Sequence, residues 1–402
     1  MKRIVIIGTA LLLLIVLPVI AGCGKAAPGT GETIKIGTPM ALTGWWNAAY
    51  DNSILRMSEV AVDMINEDGG IKVNGKKYMI ELIAEDTQSD FDGVSAATNR
   101  LIYEKDCKFL VGPSGFFVPA MTPVSEPAKV MSIVGWHVCL PGEVDATTQY
   151  TFGTSQGSLP KDIAIIKSMR KDYPQMKNIA LATPDDGAIP FLIPKVEYYL
   201  EENGFSVVGD IIDFPNEMED FSPIVAKIMA IEGVEAVFIE RCPPPAIGAI
   251  VKGLREGGNN VPVFSGSPVA TAEIAMMAGA AATEGVRTAI DTANDPDMPA
   301  LMEKMAKRVT DEYGADFPLS YQCAVGIYIF KDVIEAANSL DPTAVKNKLE
   351  SMKEIDTIYG KGIICGEQSF GIKHIVAHPM PIQKFEGGKP VPGGWYEVGF
   401  IP

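Results

Sequence analysis

Four loops in this 402-residue chain carry residues able to recognise a solute. Ser114 and Gly115 stand just before a helical stretch, where backbone N–H groups left unpaired by the helix favour an anion; an ordinary N-cap would use the same residues. Arg241 follows the strand-like run Ala236 to Ile239, and its guanidinium fits either a carboxylate clamp or an ion pair with an acidic loop of a facing lobe. Trp45 and Trp46 cannot both point inward in an extended stretch, because successive side chains alternate faces, so one is expected to wall a ligand and the other to pack on its lobe. With Phe116, Phe117 and Trp136 they form an aromatic concentration suited to a bulky apolar body. His137, beside Trp136, could hydrogen-bond a solute or hold its own loop.

Catalytic chemistry finds less support. The chain has no GxGxxG opening its first helix, no GxxxxGK[ST], no GxSxG and no HExxH. An enzyme would have to be assembled from Cys139 or Cys242 with His137, and spacing alone does not establish such a pair. His374 and His378 share a face in a strand or a helix, but no carboxylate or cysteine stands beside them at ligand spacing, so a hinge strand is the better reading than a metal site. No CxxC occurs, and no cofactor is implied. If the strands that Cys107 precedes and Cys139 follows are parallel, the two thiols lie at opposite ends of the sheet and are not expected to pair, while sequence assigns no connectivity to Cys242, Cys323 and Cys365.

The elements that position these loops alternate as β and α. Ile34, Ile36 and Met40 mark a strand; Leu55, Val60, Val62 and Ile65 recur at helical spacing until Gly69 and Gly70 stop the helix. Asn74-Gly75 between two β runs predicts a hairpin. Further strands are expected at Phe109 to Val111, Met131 to Val134, Asn178 to Ala182, Ser206 to Ile212, Ala236 to Ile239 and Val261 to Phe264, with helices between them. A strand from Gly285 to Asp291 then leads into helices near Met298 to Tyr313, Tyr321 to Ala337 and Pro342 to Met352, and a final β region begins at Ile375. In open α/β sheets ligands lie beyond the carboxyl ends of the strands, which is where the recognition loops fall. The length suits two α/β lobes, each with its own core.

The formal net charge of −16 excludes nucleic acid as an expected partner. Residues 1–22 have a basic start (Lys2, Arg3), an apolar run from Ile4 to Leu17, and Ala21-Gly22 directly before Cys23, the pattern of a secretory signal. It resembles the bacterial lipobox, in which the cysteine is lipidated and becomes the new N-terminus. The apolar run is short for an uncleaved membrane span. Residues 23–32 then read as a lipid-anchored tether of about 15 Å reach.

Taken in order, IKIGTPMALTG, INEDGGI, ELIAEDTQSD, LVGPSG, IVGW, VFIE, GLREGG and YQCAVGIYIFKDVIEAANSLDPTAVKNKLE resemble the extracytoplasmic solute-binding proteins of ABC transporters, of the leucine/isoleucine/valine-binding type. The resemblance spans about residues 33 to 400 and implies two doubly wound α/β lobes joined by three crossovers, the type I periplasmic binding protein fold. It places 33–154 with 290–378 in lobe 1 and 155–289 with 379–402 in lobe 2. It implies a monomer that captures a small carboxylated solute, a hydrophobic amino acid or an aromatic or aliphatic acid, for a membrane permease. A ligand-sensing receptor domain of the same fold is the alternative. Carried over by position, the ligand residues are Trp45, Trp46, Tyr50, Ser114, Gly115, Phe116, Trp136, His137, Val138, Asp186, Arg241, Ser267 and Tyr321. Three positions depart from the family pattern: Ser267 replaces the acid that holds an amino acid's ammonium, Val138 replaces a threonine, and Arg241 replaces an uncharged residue. An α-amino acid would need Asp186 or Glu240 as its ammonium partner, whereas a carboxylate could bridge the Ser114-Gly115 region and Arg241.

Overall fold

The computed structural model describes residues 32–215, 218–266, 272–290, 295–314, 317 and 319–398. Residues 1–31, which hold the expected signal, Cys23 and nearly all of the expected tether, lie outside this set, as do Ser267, Asp291 and the last four residues. Alternation builds two sheets in turn. The chain first lays down β1 (Thr33–Met40), β2 (Ile71–Val73), β3 (Lys76–Asp86), β4 (Phe109–Val111), β5 (Met131–Val134) and β6 (Thr151–Thr154). It crosses to a second sheet for β7 (Asn178–Asp185), β8 (Ser206–Val207), β9 (Ile212–Pro215), β10 (Ala236–Ile239), β11 (Val263–Ser265) and β12 (Val286–Thr288). It returns to the first sheet for β13 (Glu354–Thr357), β14 (Gly360–Cys365) and β15 (Ile375–Ala377), and ends in the second with β16 (Met380–Glu386) and β17 (Lys389–Tyr396).

The nine-stranded sheet runs β13-β14-β15-β6-β5-β4-β1-β3-β2; the eight-stranded sheet runs β17-β16-β12-β11-β10-β7-β8, with β9 also on β7. The strands at the middle of each sheet pair in parallel, and their residues are buried on both faces because helices cover both. Antiparallel pairs occur toward the edges, β2 with β3, β13 with β14 and β16 with β17. Helices Ala300–Tyr313 and Gln322–Ala337 pack on helix Asn52–Glu67 of the first lobe, and helix Ser158–Asp172 packs on β11, β16 and β17 of the second. The chain therefore passes between sheets three times, after β6, β12 and β15.

Local chemistry explains several boundaries. Asn74 and Gly75 take φ of 50° and 78°, the left-handed pair a two-residue hairpin needs, and Ile71 faces Tyr78 across it. The strand expected from Ser206 to Ile212 is two short strands, β8 and β9. Both pair with β7, but Gly209 between them takes φ +76° and bends the chain away from the ladder. The hairpin β13-β14 escaped the sequence reading, because its alternation is short and mostly polar (Glu354, Asp356, Thr357). A π-helical turn, Asn47–Asp51, precedes helix Asn52–Glu67 and reorients Tyr50 and Asp51.

One apolar cluster fills the first lobe around Ile36, Val60, Phe109 and Phe330, and another fills the second around Ile239, Ile247 and Val263. A third runs through the hinge from Trp46 and Trp136 by way of Val144 and Leu159 to Phe238 and Phe264.

Candidate functional site

The first wall of the cleft is built at the carboxyl ends of β1, β4 and β5. Met40 pairs with Asp86, so both strands end level, and Asp86 then accepts Leu42 N (2.9 Å), Thr43 N (3.2 Å) and Thr43 Oγ1 (2.7 Å). Ser89 Oγ donates to Thr43 O (2.8 Å) and accepts Trp46 N (3.2 Å). This bracing turns Trp46 inward at 3% exposure and leaves Trp45 outside at 59%, its ring edge-on to Trp46 with 4.9 Å between centroids. Trp46 stacks on Trp136 (5.5 Å, 17°) and meets Tyr50 (4.4 Å), Phe116 (5.1 Å) and Phe117 (5.4 Å). Gly115 has φ +64°, and a Cβ there would lie 3.0 Å from Trp46 Cζ2 and 3.3 Å from Trp136, so only glycine lets both indoles approach the turn.

A closed hydrogen-bond chain fixes this wall. Trp46 Nε1 donates to Ser114 Oγ (2.7 Å), Ser114 Oγ donates to Asp51 Oδ1 (2.7 Å), and Ala41 N donates to Asp51 Oδ2 (2.7 Å). Burial pushes the Asp51 carboxyl up to about 7, against the pull of those hydrogen bonds. Ser114 makes no side-chain cap to the turn Gly115–Phe117, and its hydroxyl is committed to Asp51. The backbone N–H groups of that turn are what this loop can offer an anion.

The second wall lies at the ends of β7, β10 and β11. Arg241, at φ +50°, donates through Nε to Glu240 Oε2, through Nη1 to Asp186 Oδ2 and through Nη2 to Thr183 Oγ1 (3.3 Å). Among the described residues its ion-pair partners, Asp186 and Glu240, therefore belong to its own lobe. Burial lowers its pKa to about 10, opposed by Asp162 and other nearby acidic groups. Asp162, in the N-terminal half of helix Ser158–Asp172, is wholly buried with its carboxylate against Gly266. Burial pushes both Asp162 and Glu240 upward; Arg241 opposes this at Asp162, and Asp162 reinforces it at Glu240. Glu143 of the first lobe accepts Val138 N (2.8 Å) and Leu140 N (2.9 Å); burial raises it to about 8, and Arg241 is among the groups opposing the rise. Tyr50 is raised to about 12 by burial and then by Glu273 and Cys242, which puts the aromatic wall within electrostatic reach of the second lobe.

Other sequence candidates sit elsewhere. His137 is buried at the first crossover, with Nε2 3.3 Å from Thr154 O and its carbonyl accepting Ser158 N (2.9 Å); burial lowers it to about 4. Val138 is buried and serves Glu143 through its backbone. Tyr321 belongs to the first-lobe core, its hydroxyl donating to Met302 O (3.2 Å) and its ring edge-on to Tyr359. His374 and His378 flank β15 at the third crossover: His374 bridges Thr151 O (3.0 Å) and Glu350 Oε1 (2.8 Å), and His378 stacks on Tyr359 at 4.4 Å. Cys139 and Cys242 are free thiols pushed upward by burial, the reverse of an activated nucleophile. Sequence reasoning missed Asp51, Glu143 and Asp162; Asp162 directly before the apolar run Ile163 to Ile166 was the one available sign.

The sequence pattern of the periplasmic binding protein family matches residues 33–389. Leu/Ile/Val-binding protein BraC3 of Rhizobium johnstonii is 28% identical over 369 residues, covering 90% of this chain and 94% of that protein. Leu/Ile/Val-binding protein homolog 2 of Brucella abortus is 24% identical, over 81% and 85% of the two chains. Among solved structures, the substrate binding protein LivJ of Streptococcus pneumoniae in complex with isoleucine superposes with TM-score 0.69 at 18% identity, covering 90% of this chain and 100% of that one. A solute binding protein of an ABC transporter from Rhodopseudomonas palustris, in complex with 3,4-dihydroxy benzoic acid, gives 0.67 at 19% identity, over 92% and 99%.

Proposed function

The chain belongs to the periplasmic binding protein family, and from that premise we propose that it is the extracytoplasmic solute-capturing component of an ABC importer, with a carboxylated solute of apolar or aromatic body as its cargo. One observation carries the reading: Tyr50, in the aromatic wall locked by the Trp46-Ser114-Asp51 chain, comes within electrostatic reach of Cys242 and Glu273, beside the charged wall of Arg241 on the other lobe. The solute's body would lie on Trp46, Tyr50, Phe116 and Trp136, and its carboxylate at the N–H groups of the turn Gly115–Phe117. Arg241 adds positive potential rather than a free fork, since Nε, Nη1 and Nη2 each already donate. Relatives that bear the name Leu/Ile/Val-binding and a structural neighbour holding a dihydroxybenzoate support the choice between a hydrophobic amino acid and an aromatic acid.

The strand membership of the two sheets supports assigning 33–154 with 290–378 to one lobe and 155–289 with 379–402 to the other. Lobes joined by three crossings are expected to hinge shut on the solute. Lipidation of Cys23 would keep the cleft near a permease, and mass spectrometry of the N-terminal peptide tests it. The solute itself is tested by a thermal-shift screen of amino acids, aromatic acids and aliphatic acids. A ligand at a hundred times its dissociation constant adds about 2.7 kcal/mol of stability. Scattering at saturation should show compaction, and a bound solute that leaves the radius unchanged would count against closure.

A further inference from the structure

Two large aromatic side chains beside the aromatic wall are left in solvent. Trp45 meets Trp46 edge-on; Phe91, half exposed at the start of helix Phe91–Asn99, meets Phe116 (5.9 Å) and Phe117 (5.1 Å), which both meet Trp46. An unbroken run of ring contacts therefore leads from Trp136 through Trp46 and Phe116 to Phe91 at the rim. Ser89 ties the two rim segments together: its hydroxyl accepts Trp46 N and donates to Thr43 O, and a Cβ on Gly44, at φ +87°, would collide with it. Asp90 caps the helix that opens with Phe91 by accepting Gly93 N, and a Cβ on Gly93 would strike Thr87 O, so the start of that helix is packed on the same loop. Single exposed apolar residues need no explanation, but fixed ones continuous with a binding wall mark a groove. The rim also carries one sign of charge. Residues 41–47 and 86–93 hold Asp86, Asp90 and Asp92 and no Lys or Arg, and Arg100, which donates to Asp86 O, is paired with Glu85 (2.6 Å).

We propose that the solute site extends onto this rim and takes an elongated monocarboxylate with two aromatic rings, the first on the Trp46 wall and the second, uncharged, at Trp45 and Phe91. The extension rests on reading the cleft as a carboxylate-capturing site and names the shape of the body it captures. A ring is the group these residues suit. The Trp45 indole stands at 90° to Trp46 and is mostly exposed, and the Phe91 ring is tilted at 40° to Phe116 and 59° to Phe117, so both can take a further ring stacked or edge-on. A compact amino acid or a one-ring acid would end at the wall and leave the rim wet. Asp86, Asp90 and Asp92 set the polarity of the solute, because a carboxylate on the far ring would meet like charge without a free cation in either rim segment. The anionic group therefore belongs at the inner end.

The test uses the mature protein freed of carried ligand by unfolding and refolding. The probes are 3-phenylpropanoate, its two-ring extension 3-(4-phenoxyphenyl)propanoate, the same two-ring acid with a second carboxylate on the far ring, and L-leucine. Calorimetry on wild type should show the two-ring monoacid binding more tightly than the one-ring acid, and the diacid losing that gain. Trp45→Ala and Phe91→Ala should each lower the two-ring to one-ring affinity ratio roughly 2- to 12-fold, the worth of one aromatic pair. Tyr103→Ala, which removes an exposed ring on the turn Arg100–Glu104, should keep the ratio. In wild type the two-ring acid should shield Trp45 from iodide and the one-ring acid should not, a readout that decides the matter even if a variant fails to fold. A ratio unchanged in both variants, a diacid that binds as well as the monoacid, or equal shielding by both acids overturns the extension; equal weakening of both acids by the variants would assign the rim to lobe closure and overturns it too. If the one-ring acid or L-leucine binds and the second ring adds nothing, the extension fails and solute capture stands. If no probe binds wild type, the capture reading fails together with the extension.

Discussion

The two walls of the cleft differ in how completely they are satisfied. On the first lobe, Ala41, Asp51, Ser114 and Trp46 form a hydrogen-bond chain in which every named polar atom has a partner, and the rings stacked on it have fixed positions. On the second, Arg241 is held by Asp186, Glu240 and Thr183, yet Asp162 and one oxygen of Glu240 have nothing to accept. A finished wall supplies shape before any solute arrives. An unfinished one is stabilised by whatever completes it, so binding energy can be concentrated in the closed state.

The largest expected effect breaks the charged wall. Arg241→Ala leaves Asp186, Glu240 and Asp162 without their guanidinium, and losing one member of a buried pair typically destabilises by about 3 to 5 kcal/mol. Urea denaturation would measure it, and combining the change with Glu240→Gln should recover part of the loss. A cost below about 1 kcal/mol is the outcome for a pair that water screens. A smaller loss is expected when the aromatic wall is cut. Ser114→Ala strands Trp46 Nε1 and Asp51 Oδ1 together, at about 1 to 3 kcal/mol. The near-ultraviolet circular dichroism of the stacked indoles should weaken with it; an unchanged spectrum would mean that packing alone positions Trp46.

The walls also differ from the hinge in the direction of their pH dependence. Asp51 and Glu143 are raised to about 7 and about 8 from ordinary values of 3.8 and 4.5. Their folded forms hold the proton more tightly, so the stability they contribute is present below about pH 4 and is lost as pH rises through 7 to 8. His137 and His378, lowered by burial from 6.5 to about 4, act oppositely: their contribution is present above pH 6.5 and is lost as pH falls toward 4. Denaturation across pH 4 to 9 should show both limbs. Asp51→Asn should flatten the alkaline limb and leave the acid limb in place; an effect on the acid limb instead would detach Asp51 from this assignment.

Much of this organisation was legible in the chain. Buried runs such as Met131 to Val134 and Ala236 to Ile239 admit few structures other than central parallel strands, and the rule that ligands lie beyond strand ends selected the loops of Trp46, Ser114, Trp136 and Arg241. The partners of those residues were not legible. Asp51 is one polar residue at the start of a helix, and Asp162 beside Lys161 looks like a solvated helix face; only docking against Ser114 and Gly266, far away in sequence, buries them. His137 follows Trp136 in the loop after β5, but its ring packs toward Gly153 and Gly157 at the crossover, where a Cβ on either residue would collide with it.

The smallest expected effect sharpens the contrast inside a single dipeptide. Trp45 and Trp46 are adjacent and identical in type, yet one is solvent-facing and the other is the centre of the aromatic wall. Trp45 touches Trp46 only edge-on, so Trp45→Ala should lower stability by about 0.5 to 1 kcal/mol, the size of one aromatic pair on an exposed site. The chain has four tryptophans, and Trp46, Trp136 and Trp395 are each buried or half-buried, with Trp395 donating to Asp295 Oδ2 at 3.1 Å. Iodide quenching of the indole emission should therefore fall sharply in Trp45→Ala and persist in Trp46→Phe. If Trp45→Ala instead removes more than about 2 kcal/mol, or leaves quenching unchanged, Trp45 is folded against the lobe in solution and the division of labour between the two indoles fails. Trp45→Phe, which keeps an edge for Trp46 to meet, should restore stability without restoring the quenchable emission, separating the ring contact from the exposure.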